Sequence, residues 1–279
     1  DNTVVRRFQE AFVDKLLDQS LRYDHVLYCI DNETNGEAAW AKFWAKFIKS
    51  RAQKEGKLVM VTEMWDSWDL TAEEHRRTFD HPELYDFVDV SQNNHNKGQR
   101  HWDNFLHVRR ILAAQPRPMN TTKTYGADGN KFGHSDQDAI ERFWRHLLAG
   151  AASARFHRPD SGLGLGDKAV ACIKAARLLE DFIPLWELKP SNSLLSDRAA
   201  NEAYAASSDR SDAFAIYFPA AREASVTLDL SNWDNTFQIH WINIDRGKAS
   251  GSAKIDGGSP MVLTPPAGGN FAAALVRRE

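Results

Sequence analysis

The feature that most constrains this chain is a rhythm repeated five times. A short apolar run ends in a polar cluster, an amphipathic stretch follows, and the next run begins roughly 30 residues later. The runs lie at 26–30, 57–62, 86–90, from 116 to 120 and at 151–156; helices are expected over 2–20, 36–56, 71–78, 100–114, 136–148 and 168–182. Strand alternating with helix at this spacing describes parallel βαβ units and an α/β fold. A continuous apolar run such as 26–30 reads as a buried parallel strand with helices over both faces. The polar clusters then fall at the C-terminal ends of the strands, where α/β enzymes carry their chemistry.

Five such units within 1–190 fall short of the eight strands and ~250 residues of a closed (β/α)8 TIM-barrel-type domain. Either the sheet is open, or it is a barrel whose first three strands lie elsewhere, in a missing N-terminal segment or another chain. The second is expected. From Pro184 the pattern changes, and past Asn201 the apolar period becomes two, in 214–218, 225–230, 237–242 and 271–276. Gly and Pro clusters separate these runs, as in an antiparallel β-sandwich. The expected domains are therefore 1–190 and 191–279.

A net charge of −3 gives no support to a nucleic-acid surface. No apolar run reaches the ~18 residues that span a bilayer, and no signal peptide opens the sequence. Cys29 and Cys172 lack metal-ligand spacing and read as buried free thiols. His95, His101 and His157 form no ligand pattern either, so neither metal nor cofactor is expected. The segment 162–166 has alternating glycines but no phosphate-loop Lys-Ser/Thr, and reads as a turn into a helix. Nine tryptophans are present; Trp65, Trp68 and Trp102, near strand ends, suggest a carbohydrate cleft, while Trp40, Trp44 and Trp144 read as core.

The strand ends carry the candidate chemistry. Asp31, Asn32 and Glu33 follow the first run, and Asp31 and Glu33, two apart, would share a strand face. Glu63 and Trp65 follow the second, with Asp66 behind them. Glycoside hydrolysis needs one protonated and one ionised carboxyl group, ~5–5.5 Å apart in retaining and ~6.5–9.5 Å apart in inverting enzymes. Neighbouring strands lie about 4.8 Å apart, so Glu33 and Glu63 suit either geometry. Glu63 could instead be a scaffold carboxylate paired with Lys123, Arg155 or Arg158. Asn94 and His95 at the third strand end offer amide and imidazole groups to sugar hydroxyls, or cap their loop. Lys123 and Tyr125 follow the fourth run, and Arg155 and His157 lie at the end of the fifth, where a guanidinium could bind a uronate or neutralise neighbouring acids.

An apolar strand ending in Asn32-Glu33 resembles the fourth strand of clan A glycoside hydrolases, cellulase-like (β/α)8 enzymes whose acid/base Glu follows an Asn. The resemblance implies that 1–190 holds strands four to eight, with Glu33 as acid/base. The tail has a Tyr217-Phe-Pro219 segment, a Trp241-Ile-Asn-Ile244 segment, then Gly-Gly and Pro-Pro before a last apolar strand. It resembles the β-sandwich, labelled collagen-binding, that follows such barrels in bacterial polysaccharide-degrading proteins. A periplasmic or extracellular location and a carbohydrate substrate follow from the resemblance. One departure matters: the clan's nucleophilic Glu ends its seventh strand, and here the matching stretch, 119–125, has no carboxylate. Glu63 is the nearest replacement. The alternative is a non-catalytic carbohydrate-binding or scaffold protein on a degenerate barrel.

Overall fold

The structure is a computed structural model that describes residues 2–159, 162–209, 212–219 and 225–278. It divides into two compact units, Asp1–Gln92 with His107–Asn120, and Asn93–Leu106 with Thr121–Glu279. Helix α4 (Gly98–Ile111) and strand β4 (Met119–Thr124) each have residues in both units.

The first unit opens with α1 (Thr3–Ser20), capped by Asn2, whose Oδ1 accepts from the Val5 amide at 3.2 Å. Strands β1 (Leu27–Cys29) and β2 (Met60–Thr62) flank α2 (Ala38–Lys54) and pair in parallel, Leu27 against Met60. The ladder runs on past the strands: the Ile30 amide donates to the Thr62 carbonyl, and Thr34 bridges Trp65. Helix α3 (Glu73–Phe79) leads to β3 (Val88–Asp89), which pairs in parallel with the start of β4. Asp86 binds β2 to the chain before β3, since its Oδ2 accepts from the Val61 amide and its own amide donates to the Val61 carbonyl. Leu17, Leu21, Ala45, Ile48, Val61 and Tyr85 form the core.

Two expectations fail here. β1 is not covered on both faces, because Leu27 is 58 % exposed and Cys29 is exposed as well. The apolar stripe of α1 is also only partly buried: Leu17 is buried, whereas Val4, Val5, Phe8, Phe12 and Leu16 are exposed. Between α1, β1 and α2 lies an open apolar cavity of about 470 Å³, lined by Phe12, Leu16, Tyr28, Ile30 and Trp40 among others. Trp40, expected in the core, is exposed beside it; Trp44 is buried.

In the second unit β5 (Ser153–Phe156) lies next to β4 in the sheet, and helix α5 (Asp136–Ala149) connects the two in sequence. Helix α5 starts in a Ser135–Asp138 capping box and ends at Gly150 with φ 89°. Helix α6 (Asp167–Phe182) follows, and then, among the described residues, the strands β6 (Leu188–Pro190), β7 (Leu195–Ser196), β8 (Tyr204–Ser208), β9 (Ala213–Phe218), β10 (Val226–Asp229), β11 (Thr236–Asn243), β12 (Lys248–Asp256), β13 (Pro260–Leu263) and β14 (Phe271–Arg277). They form a six-stranded sheet in the order β12-β11-β14-β9-β8-β6 and a three-stranded sheet β13-β10-β7, all described pairs antiparallel. Phe214, Ile216, Phe237 and Leu275 of the larger sheet share one core with Val226, Leu228 and Leu263 of the smaller. Cys172 is buried in α6 and free. Trp102, expected at a cleft, is fully buried with its ring 4.8 Å from that of Tyr204.

Candidate active site

In the first unit the site residues gather where β1 and β2 end. Regular strand geometry stops at Cys29, and Glu33 takes a left-handed φ of 52°. Strand alternation therefore does not set its direction, and the shared face expected for Asp31 and Glu33 has no basis in the backbone. A side chain in that region costs about 1–2 kcal/mol, strain of a kind that collects at functional sites. Asp31 and Asn32 are exposed and Glu33 is half-buried. Asp31 Oδ1 accepts from the Asn32 amide at 2.8 Å, while the Cys29 thiol donates to the Asp31 carbonyl at 3.0 Å.

Glu63 is only 1 % exposed. Its Oε1 accepts from the Asp31 amide at 3.0 Å and from its neighbour Met64 at 2.9 Å, while Oε2 is buried with no hydrogen-bond partner among the described residues. Burial pushes its pKa up to about 7, with the Asp31 charge adding to the rise and the two amides opposing it. The scaffold pairing with a lysine or arginine is thus replaced by bonds to backbone amides. A buried carboxyl of this kind can hold a proton at neutral pH and give it up there. Close by, burial and the Glu63 charge raise the Tyr85 hydroxyl, whose oxygen is also unpartnered.

Trp65 does not offer a ring to a ligand. It is 2 % exposed, its Nε1 donates to Thr78 Oγ1 at 2.8 Å, and the Arg77 guanidinium lies 5.1 Å from its ring. Trp68 is exposed, and Asp66 accepts from the Asn35 side-chain amide at 2.9 Å.

In the second unit Tyr125 and His157 come together, with ring centroids 4.8 Å apart. A residue not singled out from sequence completes the pair: Asp128 Oδ2 lies 3.0 Å from His157 Nδ1, with the carboxylate side chain fully buried. Asp128 sits in a Gly-Ala-Asp-Gly turn, and its only sequence signal was a carboxylate after the fourth apolar run. His134 stacks on Tyr125 at 5.5 Å, and its own pKa is lowered by burial. Asn94 is buried and reaches Thr121 Oγ1 at 3.5 Å; His95 and Arg155 are exposed, and Lys123 is half-buried. Among the described residues no group of three His, Cys, Asp or Glu side chains could hold a metal ion, and no helix is long and apolar enough to cross a membrane.

No family model and no curated protein matches the chain. Solved structures do match. A glycoside hydrolase family 5 protein from Bacteroides vulgatus ATCC 8482 aligns with a TM-score of 0.71 and 15 % identity over 96 % of this chain and 66 % of that one. The α-amylase of Geobacillus thermoleovorans, complexed with acarbose, aligns at 0.60 and 13 % identity, over 100 % and 65 %. A GH30 endoxylanase from Clostridium papyrosolvens C71 aligns at 0.53 and 13 % identity, over 99 % and 71 %. At these identities the likeness concerns the fold alone: the chain shares a mixed α/β architecture with these structures and spans about two thirds of their length.

Proposed function

We propose that this chain carries the catalytic face of a glycoside hydrolase acting on an oligosaccharide or polysaccharide. The observation that carries the reading is Glu63, a buried carboxyl at a strand end whose pKa is raised to about 7 by desolvation. That value suits a group that protonates the leaving oxygen and then takes a proton back from water. Glu63 is therefore the acid/base, and Glu33, beyond the Asp31 amide that binds Glu63, is the ionised carboxylate. These roles are the reverse of those implied by the clan A resemblance. Asn32 is assigned to sugar contacts beside Glu33; within the second unit His95, Lys123, Tyr125, Arg155 and His157 are assigned to sugar contacts of their own, and the buried Asn94 and Trp65 to packing.

Residues 1–190 represent strands four to eight of a (β/α)8 barrel, and 191–279 an accessory β-sandwich. The open apolar cavity beside β1 and the exposed stripe of α1 support a further segment or a second chain completing the barrel there. The clan resemblance supports an extracytoplasmic location.

Reducing-sugar release from a panel of plant and algal glycans tests the reading; release from none of them contradicts it. A second reading, carbohydrate binding without hydrolysis, is favoured by the lack of a carboxylate within β4, Met119–Thr124. Glycan binding with no release would select it.

A further inference from the structure

We propose that the loop 125–134 is a sugar subsite that stacks a neutral pyranose ring on Phe132 and takes a hydroxyl hydrogen bond at His157. The proposal rests on the carbohydrate-active reading above and adds Phe132 and Asp128, to which that reading gives no role. Phe132 is 75 % exposed, yet its ring meets those of Tyr125 and His157 in T-shaped contacts at 5.2 Å and 6.2 Å, so an exposed aromatic surface is held by two neighbouring rings. The apolar C–H face of a pyranose suits such a ring, while its hydroxyls need directed partners at the edge. His157, 25 % exposed, supplies one. The Asp128 carboxylate can only accept, so Nδ1 carries the proton of the neutral imidazole and Nε2 is left as an acceptor for a sugar hydroxyl.

The loop is built to hold this arrangement. Ala127, Asn130 and Phe132 have φ of 54°, 62° and 56°, and Gly126, Gly129 and Gly133 are also left-handed. Non-glycine residues in that region persist where their surroundings hold them. Here Asp128 Oδ1 accepts from the Lys131 amide at 3.2 Å, and a Cβ on Gly126 would come within 2.2 Å of the Ser135 carbonyl oxygen. A Cβ on Gly166 would meet the Ala127 carbonyl at 2.2 Å. The buried Asp128 carboxylate beside a neutral His157 leaves the pair negative, which favours a neutral sugar over a uronate.

Calorimetric titration of the Glu63→Gln protein with neutral xylo-, cello-, manno- and malto-hexaose and with an oligogalacturonate tests this without turnover. Binding of at least one neutral hexaose is expected, weakened about tenfold by Phe132→Ala and by His157→Gln, the size of one lost directed contact. Phe132 is exposed, so its replacement leaves the melting temperature near the parent value. Neutral binding that ignores both substitutions, binding of the uronate alone, or no binding at all overturns the subsite. Hydrolysis by the parent protein is read separately: turnover with Phe132-independent binding rejects the subsite alone, and Phe132-dependent binding without turnover rejects the hydrolase alone.

Discussion

The backbone amide of Asp31 donates to Oε1 of Glu63 at 3.0 Å, tying the end of the first strand to the acid that ends the second. One oxygen of Glu63 is thus fixed while the other is buried and unpartnered. Desolvation outweighs the two amide bonds, and the carboxyl holds its proton up to about pH 7. Folding then takes up a proton between about pH 4.5 and 7. The contribution to stability is full below the ordinary carboxyl pKa and is lost as pH rises through the folded value. The difference between about 7 and 4.5 sets a ceiling of about 3 kcal/mol. Glu63→Gln, neutral at every pH, is expected to melt higher than the parent at pH 8 and to match it near pH 4.5. Equal melting temperatures at both pH values would show that Glu63 is ionised without penalty.

The second unit has the opposite sensitivity. His146 is buried with neither ring nitrogen hydrogen-bonded, and its ring lies 4.3 Å from that of His101. Burial first, then Arg145 and Arg142, lowers its pKa to about 3. A depressed histidine contributes stability that is present above the unfolded value near 6.5 and is lost as pH falls toward 3. His146→Phe, which fills similar space and cannot titrate, is expected to flatten the fall in melting temperature between pH 6.5 and 4. An unchanged pH dependence would assign the acid sensitivity elsewhere.

How much of this was legible in the sequence depends on what each residue's signal was. Glu63 stood out because an apolar run, 57–62, ends abruptly in an acid, and burial beside such a run is what shifts its pKa. Tryptophan gave mixed signals, since the same indole that suits a sugar also packs: Trp65 and Trp102 are buried, while Trp40 is not. β12 went unread because Lys-Ala-Ser-Gly-Ser-Ala-Lys-Ile-Asp has almost no apolar period; it is an edge strand hydrogen-bonded to β11 and exposed along nearly its whole length. β8, Tyr-Ala-Ala-Ser-Ser, was missed for its small residues, which fit a crowded sheet interior. Asp128 lay hidden in a glycine turn, because its partner His157 is 29 residues away and only the fold joins them.

The exposed stripe of α1 has a consequence for behaviour in solution. Phe8 and Phe12 are 74 % and 64 % exposed and lie four residues apart on one helix face. Exposed apolar patches of this kind drive association. The chain is expected to self-associate in size-exclusion chromatography, and the Phe8→Glu, Phe12→Glu double variant to shift it toward monomer. A sharply melting monomer of the parent sequence would contradict the incomplete-barrel reading.

If Glu33 is the ionised partner, its loss should be felt by every substrate. Glu33→Gln is expected to lower kcat on natural glycans and activated aryl glycosides alike, by at least about 10²-fold, because no leaving group substitutes for a nucleophile or base. Steady-state kinetics on both substrate types would check this. A variant that spares the aryl glycoside would hand the acid role back to Glu33.

The most direct measurement is the kcat of Glu63→Gln on a cognate glycan and on an activated aryl glycoside. A general acid contributes about 10²–10⁴-fold by protonating the leaving oxygen, and an activated leaving group needs little of that help. The account predicts a loss of that size on the glycan, with binding nearly intact, and a spared glycosylation step on the aryl substrate. Hydrolysis of the glycan by Glu63→Gln at the parent rate would contradict it.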